Sequence, residues 1–245
     1  KSLKDKHKIL LTDIKEPPNS YDGDFLKLSV DNLDGVIKAA EGMDCIVNLS
    51  VLRTDRKLAF DVSTKGNYSM MEAARINNIK RVINTGPHFQ LVGQSYEEWD
   101  YNLNPDMPAQ PGTRLYAISK FLGQEICKRY ADQFGIQLIT LLYYNMRHHL
   151  DLTTPDFEPA ELHNDMTPFT TSWIDCGEAV RCAVDVSKER LASNKETFFI
   201  SPNIPHKKFN SEKTYNVLGW QPRYTLENLW NKKIVSSDGH KEDSY

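Results

Sequence analysis

The sequence has no apolar run approaching the roughly 20 residues that a membrane span requires. It has no Lys/Arg run longer than two residues and carries a formal charge of −3, so the basic stripe of a nucleic-acid binder is missing. These absences predict neither a membrane nor a nucleic-acid partner. Lys1–Lys8 is charged and reads as the end of a helix, without the apolar core of a secretory signal. Cysteine is scarce: Cys45, Cys127, Cys176 and Cys182 lack metal-ligand spacing, and they read as reduced thiols of a cytoplasmic protein. Glycine is also sparse, and none precedes Gly23.

What is present is enough for a core. Apolar residues make up 40% of the 245, and a chain of this length forms one large domain or one domain with an appendage. Its pattern alternates. Short apolar or alternating runs at Lys8–Asp13, Phe25–Val30, Cys45–Val51, Arg81–Asn84, Gln137–Tyr144 and Thr197–Ile200 predict strands. Between them, helical spacing marks Asn32–Glu41, Asp55–Asn77, Leu115–Phe134 and Ile174–Val186, the third of these stopping at Gly135. Gly86–Thr113 reads as a long polar loop, a length that usually carries function. His148–Thr170 reads as irregular, and a tail follows from Asp238. Alternating strands and helices predict an α/β fold, a doubly wound parallel sheet. Such sheets bind ligands beyond the carboxyl ends of their strands. Asp13, Asp31, Leu49–Val51, Thr85–His88 and Tyr143–Asn145 all fall there.

Tyr116 and Lys120 stand four apart at the start of a helix, on one face and one turn from each other. An ammonium beside a phenol favours the phenolate, and a phenol so poised exchanges a proton with an alcohol. Taken alone, the pair reads more readily as a surface lysine and a half-buried tyrosine. His148-His149 is a tempting ligand pair, but neighbours along a strand point in opposite directions. Trp173, Trp220 and Trp230 read as core or cap residues, and Glu72–Arg75 as a solvated i,i+3 pair.

An ordered series of segments runs along nearly the whole chain: Leu11-Thr12-Asp13, Val30-Asp31, Asp44 to Ser50, Met71 to Arg75, Arg81 to Asn84, Tyr116-x-x-x-Lys120, Tyr143-Tyr144-Asn145 and Leu218-Gly219-Trp220-Gln221-Pro222. In that order they resemble an extended short-chain dehydrogenase/reductase of the NAD-dependent epimerase/dehydratase family. The Glu72-Ala73-Ala74-Arg75 phrase, followed by Arg81-Val82, is similar to the uronate dehydrogenase branch.

The resemblance implies a Rossmann-type domain over 1–145 that also takes in 174–186 and 197–200, a small substrate-binding portion from 146–173 and 201–237, and a tail at 238–245. It implies NAD as cofactor, a sugar, sugar acid or nucleotide sugar as substrate, and a homodimer built on the two long helices. The reaction is hydride transfer by a dehydrogenase, an epimerase or a dehydratase. A non-catalytic NAD(H) binder of the same fold is the alternative. Tyr116 and Lys120 match the catalytic pair. Asp13 matches the acid that binds the adenine ribose hydroxyls, against an ordinary strand-end Asp. Asp31 matches an acid near adenine, with Asn32 as a plain helix cap beside it. Leu49 and Ser50 match the loop under the cofactor ribose, Asn67 an Asn that supports the site in some relatives, and Asn145 a substrate contact.

Two departures accompany the match. No Gly-x-x-Gly-x-x-Gly loop for the pyrophosphate occurs. The expectation is a natural chain that starts roughly 15–25 residues upstream, the usual strand–loop–helix length. The serine pair after the fourth strand is replaced by Thr85-Gly86-Pro87-His88. Counting from the strand puts Thr85 in the catalytic place, counting back from Gly93 puts His88 there, and either side chain donates a hydrogen bond. An Arg expected near the substrate strand is replaced by Leu142.

Overall fold

The computed structural model describes residues 2–52, 55–93, 102–148, 169–202 and 208–224. In chain order it contains β1 (Leu10–Asp13), β2 (Asp24–Lys27), α1 (Leu33–Ala39), β3 (Cys45–Asn48), α2 (Arg56–Ile76), β4 (Arg81–Pro87), α3 (Phe89–Val92) and α4 (Leu115–Phe134). These are followed by β5 (Gln137–Tyr143), β6 (Asn145–Arg147), β7 (Thr170–Ser172), α5 (Trp173–Asp185) and β8 (Lys195–Ile200).

Every strand pairing is parallel. The central sheet has the order β3-β4-β5-β8, β1 pairs with β2, and β6 pairs with β7. All seven residues of β5 are buried, as a parallel strand covered on both faces requires. The period of two along the strands sorts side chains into two layers. Val82 and Leu138 meet Met70, Ala73, Cys127 and Ala131 of α2 and α4 on one face. Ile83, Ile139, Leu141, Phe198 and Ile200 meet Cys176, Ala179 and Ala183 of α5 on the other. This is the doubly wound α/β architecture that the alternating pattern predicted.

The structure corrects several details. The N-terminal residues form turns rather than a helix, and among the described residues the parallel strands group into sheets of four, two and two strands. β4 runs three residues beyond Asn84, and α3 follows it inside the stretch read as loop. The pairing of β6 with β7 was not anticipated; three-residue strands are too short for periodicity to show. Trp220 is fully buried, whereas Trp173 is 60% exposed and so is not a core residue. Trp230, His149 and the tail at 238–245 lie outside the described residues, as do parts of the 146–173 and 201–237 segments.

A buried carboxylate ties the last described segment to the core. Asp175, fully buried near the start of α5, accepts hydrogen bonds from the Ser172 hydroxyl and from the backbone N–H groups of Arg223 and Tyr224. Its carbonyl accepts from the Trp220 indole at 2.9 Å. Burial and partners of this kind go together, because an unmet buried charge is costly.

The helices α2 and α4 cross at small residues. A Cβ added at Gly123 would run into the Ser63 carbonyl oxygen and stand 2.5 Å from Asn67 Nδ2. Both obstacles lie in α2, and one is backbone, so the helices must separate to admit a methyl group. Gly123→Ala is therefore expected to destabilise the protein by about 2–3 kcal/mol despite the better helix propensity of alanine. Urea unfolding of the two proteins measures this, and an unchanged or higher midpoint contradicts the crossing.

Candidate functional site

Helix α4 begins after Arg114 and places Tyr116 and Lys120 one turn apart on its first two turns. Lys120 is 4% exposed, and its ammonium donates to the Ser50 carbonyl at 2.7 Å. A long cationic side chain is rarely buried without such partners. Ser50 lies just past the carboxyl end of β3, so this contact fixes α4 against the loop leaving the sheet. The Asn48 side chain holds that loop from within, its Oδ1 accepting from both the backbone N–H (3.0 Å) and the hydroxyl (2.6 Å) of Ser50. Leu49, between them, is 60% exposed beside the loop.

Both residues competing for the serine position are close by. Thr85, in β4, donates its hydroxyl to the Asn48 carbonyl at 2.8 Å. That bond commits the threonine proton to the protein, while the oxygen's remaining lone pair stays an acceptor. His88 follows β4, and its backbone N–H donates to the Tyr143 carbonyl at 2.8 Å. Its ring is 5% exposed and stacks among Tyr144 (4.4 Å between centroids), Phe89 (5.2 Å) and Phe209 (5.3 Å). Phe89 in turn meets the Tyr116 ring edge-on at 5.4 Å, so one aromatic ring bridges His88 to the phenol. Burial pulls the His88 pKa down from 6.5 to about 4. Near neutral pH the ring is imidazole, and of its two possible donor forms only the neutral one applies.

The other candidates stand apart. Asp13 is exposed at the carboxyl end of β1, its carboxylate accepting from the Lys15 N–H at 2.9 Å. Asp31 is half-buried after β2, takes a short hydrogen bond from the Ser29 hydroxyl and contributes to the field on Lys57 at the start of α2. Asn32 is the N-cap of α1, accepting from the Gly35 N–H at 3.2 Å. Asn145 opens β6 opposite Thr170. Asn67 is buried in α2 and donates to the Ser63 carbonyl of its own helix. Among the described residues no group of three or more His, Cys, Asp or Glu side chains is placed to hold a metal ion.

Sequence reasoning missed the amides beneath the pair. Asn48 (β3), Asn84 (β4) and Gln124 (α4) are each at most 5% exposed and bond to one another, with Asn48 Nδ2 to Asn84 Oδ1 at 3.0 Å and Asn84 Nδ2 to Gln124 Oε1 at 2.8 Å. The available signal was a lone asparagine inside each of two apolar strands, since a buried polar residue is the informative exception.

The depressed His88 pKa gives a pH dependence. A site that binds its proton less readily folded than unfolded leaves the protein fully stable above the unfolded value, 6.5, and loses stability as pH falls from there through about 4. The melting temperature is expected to drop across that window, and His88→Phe to flatten the drop. Thermal melts of both proteins at stepped pH check this; parallel curves refute it.

With the geometry in place, comparison with known proteins identifies the group. The model of the NAD dependent epimerase/dehydratase family matches residues 2–147. Uronate dehydrogenase from Agrobacterium fabrum is 31% identical over 98 residues, covering 38% of this chain and 35% of that protein. GDP-mannose 3,5-epimerase 1 from Oryza sativa subsp. japonica is 24% identical over 125 residues, covering 46% of this chain and 32% of its own. The matched segment thus spans about a third of either relative's length. The crystal structure of uronate dehydrogenase from Agrobacterium tumefaciens superposes with a TM-score of 0.71 at 18% identity, over 94% of this chain and 80% of that one, which establishes the shared fold. Motif order, doubly wound sheet and family match agree: the chain belongs to the NAD-dependent epimerase/dehydratase family.

Proposed function

We propose that this protein is an NAD-dependent oxidoreductase or epimerase acting on a hydroxyl of a sugar, sugar acid or nucleotide sugar. The observation that carries this reading is the buried Lys120 ammonium, held on the Ser50 carbonyl one helical turn from Tyr116. A lysine fixed there serves two ends. Its charge lies one helical turn from the Tyr116 phenol, and an ammonium is a donor that suits ribose hydroxyls.

The described residues fit the ribose ends of NAD. Asp13 offers an exposed carboxylate at the carboxyl end of β1, where an acid accepts from the 2′- and 3′-hydroxyls and repels a 2′-phosphate. Asp31 follows the carboxyl end of β2, and Leu49 and Ser50 follow that of β3, where Ser50 meets Lys120. Bound NAD would supply the hydride acceptor for the carbinol carbon. Tyr116 removes the hydroxyl proton, Lys120 sets the charge beside it, and Asn145 contacts the substrate. Thr85 Oγ or neutral His88 orients the reacting oxygen. The relatives carry names for both outcomes, a uronate dehydrogenase and a GDP-mannose epimerase. One structural neighbour was solved with UDP-glucuronic acid and NAD, at 12% identity and a TM-score of 0.71.

A second reading has its own observation. The Thr85 hydroxyl is already bonded to Asn48, and His88 is buried in an aromatic cluster. A protein that binds NAD(H) without turnover is consistent with both. Tyr116→Phe separates the two. Under the first reading, NADH formation from uronic acids or nucleotide sugars falls at least about a hundredfold, the usual worth of a general base, with the NAD-induced rise in melting temperature intact. The same measurement reads cofactor choice: NAD raises the melting temperature more than NADP, and Asp13→Ala removes the difference. No turnover in the parent protein with any such sugar, together with a preserved NAD shift, favours the binder.

The homodimer is part of this proposal. Leu58, Phe60, Tyr68 and Ile76 of α2, with Leu122 and Phe134 of α4, are each 38–48% exposed, more large apolar surface than two helices ordinarily leave to water. A second copy covering it buries both pairs of helices against each other. Phe60→Glu is expected to convert the dimer to monomer in sedimentation; an unchanged mass places the interface elsewhere.

A further inference from the structure

The buried amides beneath Lys120 form a chain with one direction. Ser50 donates its N–H and O–H to Asn48 Oδ1. Asn48 Nδ2 donates to Asn84 Oδ1 at 3.0 Å, Asn84 Nδ2 to Gln124 Oε1 at 2.8 Å, and Gln124 Nε2 to the Thr140 hydroxyl of β5 in a short bond. Each amide thus turns its carbonyl toward Ser50 and its NH2 toward Thr140. Hydrogen bonds aligned head to tail polarise one another, and in a buried setting each strengthens the next. The chain crosses from β3 through β4 to α4 and ends on β5.

Two further bonds brace it. Asn67 Oδ1 accepts from Asn48 Nδ2 at 3.3 Å and from the Cys127 thiol at 3.1 Å. The Cys127 thiol is pushed up by burial, with the Lys120 charge opposing, which places that charge within reach of the amide layer. A core built only for stability has no need of three amides in this place, because apolar residues of equal size would fill it at no cost in desolvation.

We propose that Gln124 and Asn84 are positioning residues for Lys120: the oriented amide chain holds the Asn48 side chain, which fixes Ser50, whose carbonyl holds the lysine ammonium beside Tyr116. The inference rests on the reading of Tyr116 and Lys120 as the reactive pair, and it assigns to that pair a support reaching two strands away. Gln124 is the sensitive link. It lies one turn beyond Lys120 on α4 and joins Asn84 to Thr140.

The test reads the lysine itself. Proton–nitrogen NMR of lysine ammonium groups detects only those held long enough to resist exchange with water, and Lys120→Arg identifies the Lys120 signal by its loss. Gln124→Met keeps the shape and breaks the chain, leaving Asn84 Nδ2 without its acceptor. The Lys120 protons are expected to exchange about tenfold faster, the worth of one hydrogen bond to a charged group. Gln124→Glu keeps an acceptor for Asn84 and receives the Thr140 hydroxyl, so it restores slow exchange. Thr140→Val, which removes only the chain's far end, moves exchange in the same direction and serves if Gln124→Met fails to fold. A Gln124→Met protein that melts lower while Lys120 exchanges at the parent rate overturns the proposal, as does a parent protein with no protected Lys120 signal. The readout needs neither nucleotide nor sugar. A parent protein without turnover but with this exchange pattern therefore removes the proposed activity and leaves the positioning intact.

Discussion

The contact between the Lys120 ammonium and the Ser50 carbonyl is the point on which the rest of the structure converges. It needs α4 at one height and one rotation relative to β3. The height comes from the crossing of α2 and α4, where Gly123 touches the Ser63 backbone with no room for a side chain. The rotation comes from the apolar layer, where Cys127 and Ala131 of α4 pack on Val82 and Leu138. A helix shifted by one residue turns about 100°, which would carry both Tyr116 and Lys120 off the carboxyl edge of the sheet. Packing in the middle of α4 thus sets where Tyr116 and Lys120 stand at its start.

The polar and apolar parts of this interface divide the work. Apolar contacts on both faces of β5 supply burial but little orientation, since they tolerate volume-conserving exchange. The amides Asn48, Asn84 and Gln124 are directional, and a wrong register would strand several of them without partners in a dry interior. The α2–α4 face therefore accepts one arrangement of helix against sheet. His88 illustrates the same division at the other rim of the site. Its aromatic neighbours bury it, and burial fixes its charge state.

Much of this was legible in the sequence, for physical reasons that differ from element to element. Strands such as Gln137–Tyr143 and the helix Leu115–Phe134 announce themselves because apolar content and a terminating Gly135 are local properties. The spacing of Tyr116 and Lys120 put both on one face at the start of α4 in advance. Three things did not show. The pairing of β6 with β7 depends on strands of three residues separated by more than twenty in the chain. The partner of Thr85 is a backbone carbonyl of another strand, which no spacing reveals. The burial of His88 comes from Tyr144, Phe89 and Phe209, three rings from three different stretches of sequence. Asn48 and Asn84 were visible as polar interruptions in apolar runs, yet only their side-by-side register in β3 and β4 shows that they serve each other.

The carboxylate of Asp175 has a consequence for the order in which the fold can be completed. Its acceptors face the N–H groups of Arg223 and Tyr224, and its carbonyl faces the Trp220 indole. During synthesis α5 leaves the ribosome well before those donors do. Until they arrive, α5 docked on the sheet would bury the Asp175 side chain without those backbone donors. Closure of the second apolar layer is thus coupled to the Trp220–Tyr224 segment, which carries those donors. In the folded protein that segment acts as a keystone, joined to α5 through the single residue Asp175.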